Sequence, residues 1–454
     1  MSPRRPLPPD TDPTLPLNRS EWVYMASDGP MGQLNQSYLM RFGAPFDAAT
    51  AKAAFRALLV AYPRLRGIIV LTARRYRLRI PPVDASLDIL IDQMFHEDRV
   101  DLDDPEAVRR WQEVSMNEPM ALQRGLGARM QFVAHPQQPA LLFTVHHVLA
   151  DGRSMVLFVE SLIKRLNGLP VEALPLDNPS MLPAVLPRRW IDWPGRLWSA
   201  WSTERAQARE RARYEIVSLP SQRSTHYLTC GVQRHDLGLA TKDLSRAGKA
   251  RGGSGNSLLM AAFGTALLEL AGSRPGTAAL IRMSVDLRRY FPQGQAPTVG
   301  NYVYVLDVLL PQEVPEADRV KWIDAKVRDG QKRFEDRDMI LPLLPYEMLG
   351  WLRPHDYTRL LLRAKRMDML PRLSVHTTNI GSVDAFNPEG AGIALAELCP
   401  VVPGSAPLVV FVSVNGRQMV MSSNQRDEFA DTDITRLLAQ VRSVLQRWVG
   451  TGTA

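Results

Sequence analysis

The heptapeptide HHVLADG at positions 146–152 constrains this 454-residue chain more than any other feature. Two of the eight histidines are adjacent, an Asp follows four residues after the second, and a Gly comes directly behind the Asp. A chance HHxxxDG is expected on the order of once in a thousand such sequences. The apolar run at 139–145 predicts a strand before it, and the helical periodicity of 153–166 predicts a helix after it.

His146 and His147 therefore lie in a predicted strand-to-helix loop. A neutral imidazole has a pKa of about 6.5, close to working pH, so a histidine in such a loop suits the role of a general base. A loop histidine that is merely ion-paired is the alternative interpretation.

The heptapeptide resembles the active-site signature of the acyltransferases shaped like chloramphenicol acetyltransferase. This superfamily includes peptide condensation domains, wax ester synthases, alcohol acetyltransferases and polyketide-associated acyltransferases. The resemblance implies that His147 is the base and that Gly152 leaves room for a thioester. It also implies that an arginine holds Asp151, which fixes the loop without relaying protons. His146 belongs to the same site but is expected to act through loop packing.

Further segments resemble the same superfamily in the same order. Residues 62–66 (YPRLR) match the segment that closes the first helix, and 286–289 (DLRR), 299–301 (VGN) and 310–311 (LP) match a later signature. The resemblance implies that Arg288 pairs with Asp151 and that Asn301 contributes to substrate binding. A surface arginine at a strand end is the alternative for Arg288.

The stretch TTNIG at 377–381 resembles a tunnel-lining segment of alcohol acetyltransferases and polyketide-associated acyltransferases. Thr378, Asn379 and Gly381 are therefore candidate substrate-binding residues. Thr378 and Asn379 offer hydrogen-bond donors of the kind that a tetrahedral oxyanion requires. Turn capping by Asn379 is an equally open interpretation.

Composition limits the class of protein, the cofactors and the partners that we expect. The hydrophobic fraction of 45% is that of a globular protein, and Cys230 and Cys399 have no zinc or CxxC spacing, which predicts buried free thiols. We expect no bound metal or covalent cofactor, no nucleic-acid partner and a cytoplasmic monomer. The formal charge of +8 suits phosphate-bearing partners, an anionic membrane face or an ordinary solvated surface.

The expected fold is α/β, with two chloramphenicol acetyltransferase-like subdomains. Each is a mixed sheet flanked by helices, and the active-site tunnel lies between them. The divisions we expect are a flexible Pro-rich arm (1–18), an N-terminal subdomain (19–185), a crossover linker (186–219) and a C-terminal subdomain (220–454). The linker is rich in Trp and Arg between Trp190 and Trp201, which indicates either a helix packed between two halves or a segment at a membrane interface.

These patterns favour an enzyme that moves an acyl group from coenzyme A or an acyl carrier protein to a small-molecule alcohol, without an acyl-enzyme. A free-standing condensation enzyme, forming an amide or ester with an amine or alcohol acceptor, is the second hypothesis. A non-catalytic binding protein with the same fold is the third. Acyl length and acceptor identity are left open.

Overall fold

The computed structural model describes residues 13–72, 75–222, 229–367, 369, 372–404 and 406–450. The strands are β1 (Thr14–Pro16), β2 (Asn35–Phe42), β3 (Ile68–Thr72), β4 (Arg75–Arg79), β5 (Phe95–Glu97), β6 (Ala128–Val133), β7 (Ala140–His146), β8 (Glu215–Val217), β9 (Cys230–Ala240), β10 (Thr277–Asp286), β11 (Val303–Pro311), β12 (Val375–Ser382), β13 (Leu395–Val401), β14 (Leu408–Val414) and β15 (Arg417–Gln425). The α-helices are α1 (Arg19–Ser27), α2 (Ala48–Ala61), α3 (Ala85–Met94), α4 (Pro105–Asn117), α5 (Gly152–Leu166), α6 (Leu182–Val185), α7 (Trp193–Arg211), α8 (Thr241–Ala250), α9 (Gly255–Leu270), α10 (Arg319–Glu335), α11 (Ile340–Met348), α12 (Pro354–Arg366) and α13 (Asp431–Gly450).

The N-terminal half is built on a five-stranded sheet with the order β13-β2-β7-β6-β5. β2 and β7 are antiparallel neighbours, with Tyr38 opposite Phe143. Every residue of β7 is buried, which explains why four apolar residues follow one another from Ala140 to Phe143 instead of alternating with polar ones. The strand that leads into the heptapeptide is therefore present, and it pairs with β2 on one side and with β6 on the other.

Helix α2 covers this sheet and forms as its sequence predicts. The Asp47 carboxylate accepts a hydrogen bond from the backbone N–H of Thr50 at 2.8 Å, which caps the helix. Phe55 and Leu58 on the inner face are fully buried. The helix ends at Ala61, two residues before Pro63.

The C-terminal half has a sheet with the order β11-β10-β12-β14-β15-β9, and β8 pairs with β10 in parallel. Helix α9 packs against β10 and is covered by α8, α10 and α13. Because neighbours surround it, nearly all of its residues from Ser257 to Leu268 are buried, and its apolar residues do not follow a single stripe.

One strand crosses between the halves. β13 lies beyond residue 220 in the chain, yet it pairs antiparallel with β2 of the N-terminal sheet, with Cys399 opposite Leu39. The expected division into 19–185 and 220–454 does not describe this strand. Its pairing covers what would otherwise be an open sheet edge and ties the two halves together.

The N-terminal arm differs in part from the expectation, and the linker contains a helix. Thr14–Pro16 pairs with β4 and is part of a small sheet, while residues 1–12 lie outside the described ranges. In the linker, α7 begins at Trp193 and buries Ala200, but Trp198 and Trp201 are 67% and 43% exposed. The helix packs on the body, and these two tryptophans face outward.

Candidate active site

The heptapeptide loop joins β7 to α5 at the boundary between the two halves. Asp151 caps α5, because its Oδ1 accepts the backbone N–H of Ser154 at 2.9 Å. The backbone N–H of His147 donates to the carbonyl of Leu34 at 2.8 Å, and that of Asp151 donates to the carbonyl of Gly300 at 3.1 Å. The strand-loop-helix arrangement that the sequence predicts is present, and both halves of the chain hold the loop.

Asp151 and Arg288 form an ion pair, with 2.7 Å between Oδ2 and Nη1. Asp151 is fully buried and also accepts hydrogen bonds from the Ser154 hydroxyl at 2.9 Å and the Tyr302 N–H at 2.8 Å. Burial alone would raise the pKa of Asp151, but the charge of Arg288 and these hydrogen bonds outweigh it and hold the pKa below its usual value. The carboxylate is therefore ionised and fixed in place.

Arg288 has partners on several sides. Its Nε donates to the carbonyl of Pro297 at 3.0 Å, Nη1 also donates to Asp286 at 3.1 Å, and Nη2 donates to the carbonyl of Gly300 at 3.0 Å. Gly300 has φ +138°, and a Cβ there would lie 2.7 Å from the Tyr302 ring, so this position requires glycine. The alternative of a surface arginine does not hold.

His147 is 5% exposed, and its ring stacks on Tyr24 with 4.1 Å between ring centroids. Burial lowers the pKa of His147 to about 4, although hydrogen bonds to the backbone carbonyls of His147 and Ala150 and the charge of Asp151 act in the opposite direction. At neutral pH the imidazole is uncharged. A neutral imidazole is the form that can accept a proton.

Asn301 lies behind the His147 ring instead of on the cavity wall. Its Nδ2 is 3.0 Å from His147 Nδ1 and donates to the His147 carbonyl at 2.9 Å. In the described part of the chain Asn301 therefore holds the His147 ring and backbone, which differs from its predicted role in substrate binding. Nδ1 lies on the Asn301 side of the ring.

His146 points away from the cavity. Its Nε2 lies 3.1 Å from Asp28, and its Nδ1 accepts the N–H of Val148 at 3.2 Å. This position agrees with a role in holding the loop.

A cavity of about 1180 Å³ lies between the halves. His147 and Gly152 line it from the N-terminal half, and Thr378 and Asn379 line it from the C-terminal half. A Cβ added at Gly152 would come no closer than 4.0 Å to another heavy atom, the Tyr38 hydroxyl oxygen. Gly152 therefore leaves open space beside the heptapeptide loop.

The TTNIG stretch has two roles. Asn379 lines the cavity, and its Oδ1 also accepts the N–H of Gly381 at 2.8 Å, which is the turn-capping interpretation. Gly381 has φ +87° and lies at a register shift between β12 and β14, so it shapes the strand. It is not among the described residues that line the cavity.

Two cavity residues on β2 are not predicted from the sequence. Gln36 and Tyr38 are two positions apart, so their side chains point to the same face, and both line the cavity. Both are fully buried, yet the Tyr38 hydroxyl and Gln36 Oε1 have no hydrogen-bond partner within the described ranges. Burial raises the pKa of Tyr38, so its hydroxyl keeps its proton. The run of polar residues NQSY at the start of a strand that is buried along nearly its whole length was the available signal.

A second missed pair lies on the opposite wall. Ser284 on β10 and His376 on β12 line the cavity, with 3.0 Å between Oγ and Nε2. Burial, followed by the charge of Arg282, lowers the pKa of His376 to about 3. The pair is neutral and polar, and such a weak base suits hydrogen bonding better than proton transfer.

A buried ion pair between Arg64 and Glu21 supports the site from behind. Arg64 Nε donates to the carbonyl of Leu149 at 2.8 Å, and Glu21 accepts the N–H of Asn301 at 3.2 Å. Arg64 belongs to the YPRLR segment. The segment therefore fixes the heptapeptide loop, a role that its sequence did not reveal.

Solved structures share this architecture at low sequence identity. The trichothecene 15-O-acetyltransferase TRI3 from Fusarium sporotrichioides is 13% identical and matches with a TM-score of 0.70, covering 96% of this chain and 95% of that one. The first condensation domain of the calcium-dependent antibiotic synthetase is 18% identical with a TM-score of 0.71, covering 97% and 98%. Polyketide synthase associated protein 5 from Mycobacterium tuberculosis is 15% identical with a TM-score of 0.60, covering 96% and 99%.

These matches confirm the expected two-subdomain α/β fold. No curated protein sequence matches the chain. The sequence does match the family described as Condensation domain over residues 15–331, which is more than half of its length. The protein belongs to the condensation domain family.

Proposed function

We propose that the protein transfers an acyl group from a thioester to a hydroxyl acceptor, with His147 as the general base. The observation that carries this proposal is the neutral imidazole of His147 on the cavity wall, hydrogen-bonded to backbone carbonyls of its own loop. A base of this kind typically accelerates a reaction by about 10² to 10⁴.

In the proposed reaction the ring hydrogen of His147 is on Nδ1 and is donated to a backbone carbonyl of the loop, while Asn301 donates to the His147 carbonyl. Nε2 then takes the proton of the acceptor hydroxyl. The acceptor oxygen bonds to the thioester carbonyl carbon, and the carbonyl oxygen becomes an oxyanion. When this intermediate collapses, the carbon–sulfur bond breaks and the imidazolium returns its proton to the leaving thiolate. The products are an ester and a free thiol, and no residue is acylated.

We assign the Tyr38 hydroxyl as a hydrogen-bond donor to the oxyanion. It is buried, protonated and without a partner in the described part of the chain, so a substrate oxygen would supply the hydrogen bond that it lacks. Donors fixed in advance where charge develops are among the largest contributions to catalysis. Thr378 on the opposite wall is a second candidate donor.

A hydroxyl acceptor is supported by the trichothecene 15-O-acetyltransferase, whose name describes transfer to oxygen. The match to the condensation domain family favours the second candidate, a free-standing enzyme that forms an amide or ester bond from carrier-bound substrates. The same base and cavity serve either acceptor, because both reactions remove a proton from the attacking atom.

Thiol release from a panel of acyl-coenzyme A donors, measured with alcohols, with amines and without an acceptor, tests the proposal. Release that depends on an alcohol supports it. Release that depends on an amine, or turnover only with a thioester on a carrier protein, supports the second candidate. Ligand binding without turnover on any donor would contradict both and leave the non-catalytic hypothesis.

A further inference from the structure

The net positive charge of the chain is concentrated in two segments. Residues 188–213 contain seven arginines and three acidic residues, and residues 351–372 contain six basic and two acidic residues. Each segment has a formal charge of +4, so the two account for the whole formal charge of +8, and the charges of the remaining residues cancel. The basic balance of the chain is therefore a local property and not a general feature of its surface.

The same segments expose large apolar side chains. They contain eight of the sixteen exposed large hydrophobic residues within the described ranges, although they are a small part of the chain. Trp190, Trp198 and Trp351 are 84%, 67% and 77% exposed, and Met369 is 67% exposed. Single exposed apolar residues are ordinary on protein surfaces, but a cluster of this kind indicates an interaction site.

The two segments belong to one surface. Helix α7 packs against α11, and α11 continues through residues 349–351 into α12. Beyond the C-terminal end of α12, the carbonyl of Arg372 accepts a hydrogen bond from Arg211 of α7 at 3.0 Å. We refer to the described residues of 188–213 and 351–372 together as the basic aromatic surface.

The acidic side chains of α7 face the protein body. Glu204 pairs with Arg333 at 2.7 Å, and Glu210 pairs with Lys326 at 3.0 Å, both on α10. Ala200 on the same side of α7 is fully buried. Because these carboxylates are paired with Arg333 and Lys326, they do little to offset the charge of the arginines that face outward.

The outward side of α7 combines rings and guanidinium groups. The rings of Trp198 and Trp201 are in contact, with 5.0 Å between centroids, and the Arg205 guanidinium lies 5.1 Å from the Trp201 ring centroid. Trp and Arg side chains have an apolar part and a polar end, and this combination is typical of segments that lie at a lipid–water interface.

Helix α12 connects this surface to the cavity. Tyr357 and Leu361 on its inner side line the cavity, while Leu360 is 52% exposed and Arg359 and Arg363 are exposed on the outer side. The outer face of one helix therefore belongs to the basic aromatic surface, and its inner face belongs to the wall of the candidate active site.

We propose that the basic aromatic surface binds anionic lipid bilayers and thereby holds the cavity beside the membrane. Arginines attract anionic headgroups, and the exposed tryptophans and methionines enter the headgroup region. No helix in the described ranges is long and apolar enough to cross a bilayer, so the contact proposed here is peripheral. The binding does not depend on the acyl transfer proposed above.

Co-sedimentation of the full chain with phosphatidylcholine vesicles, prepared with and without phosphatidylglycerol, tests this proposal. We expect binding to the anionic vesicles and loss of binding at high salt. Trp198→Ser combined with Trp351→Ser should abolish sedimentation. Arg205→Gln and Arg363→Gln should each weaken it about fivefold, as expected for one basic residue near an anionic surface.

The matched control is Ile89→Ser combined with Val114→Ser, because these side chains are 61% and 66% exposed but lie outside the basic aromatic surface. This variant should sediment like the wild type, and all variants should keep the wild-type melting temperature. No binding to anionic vesicles at low salt, or an equal loss in the control, overturns the proposal. Self-association that the tryptophan substitutions abolish would assign the surface to a second copy and also overturn it.

The assay needs no turnover, so a protein without transferase activity would still give an interpretable result. Conversely, if the proposed acyl-transfer function is correct, the tryptophan variants should release thiol from short-chain, water-soluble donors at the wild-type rate. The two proposals therefore fail independently.

Discussion

The carboxylate of Asp151 and the guanidinium of Arg288 are 137 residues apart in the chain and meet at 2.7 Å across the two halves. Both side chains are buried, and removing one partner of a buried pair typically costs about 3 to 5 kcal/mol, because the remaining charge is stranded. We expect Asp151→Ala and Arg288→Ala each to lower the free energy of unfolding by that amount and to reduce activity.

A double-mutant cycle by urea unfolding checks this coupling. The variant with both substitutions should be no less stable than either single variant, because neither charge of the Asp151–Arg288 pair is left without the other. If the losses in the free energy of unfolding of the two single variants simply add, the two side chains are not energetically coupled.

Two histidines that line the cavity predict how the free energy of unfolding depends on pH. Their pKa values are lowered to about 4 for His147 and about 3 for His376, so the unfolded chain, where histidine has a pKa of about 6.5, binds more protons between these values. The free energy of unfolding should therefore fall as pH falls from 6.5 to 4. At higher pH both states are neutral, and the contribution is constant.

His376→Gln isolates one of these groups. Between pH 6 and pH 4.5, the free energy of unfolding of the variant should fall by about 1.4 kcal/mol less per pH unit than that of the wild type. Urea unfolding at several pH values measures it, with His355→Gln as the control because His355 is exposed. An unchanged slope would show that His376 titrates normally in the folded protein.

Tyr38→Phe separates catalysis from stability. The hydroxyl of Tyr38 is buried without a hydrogen-bond partner in the described part of the chain, so its removal should not destabilise the fold. If it donates to the oxyanion, kcat should fall by about 10² to 10³ while KM changes little. Steady-state kinetics beside a thermal melt provide the measurement, and a wild-type kcat in this variant would remove Tyr38 from the mechanism.

The local part of this structure follows from the sequence. The strand, loop and helix around His147 are predicted from apolar periodicity. The ends of α2 also have local causes, since Asp47 caps its first turn and Pro63 follows its end. The meeting of Asp151 and Arg288 was implied only by the family resemblance, since no local pattern relates residues so far apart.

The parts that the sequence did not predict depend on distant pairings. β13 joins β2 across most of the chain, and Ser284 meets His376 because β10 and β12 are neighbours in parallel, with Arg282 beside His376. The placement of Asn301 behind His147 also depends on the packing of the two halves. Periodicity indicates which face of a strand is buried, but not which strand lies beside it.

The most direct test of the account is thiol release by His147→Ala, measured with an acyl-coenzyme A and an alcohol on which the wild type is active. We predict a loss of about 10² to 10⁴ in rate with an unchanged melting temperature, because the base is lost while the loop keeps its other hydrogen bonds. His146→Ala is the matched control and should be affected less, since His146 points away from the cavity. Activity of His147→Ala within a few-fold of the wild type would contradict the assignment of His147 as the general base.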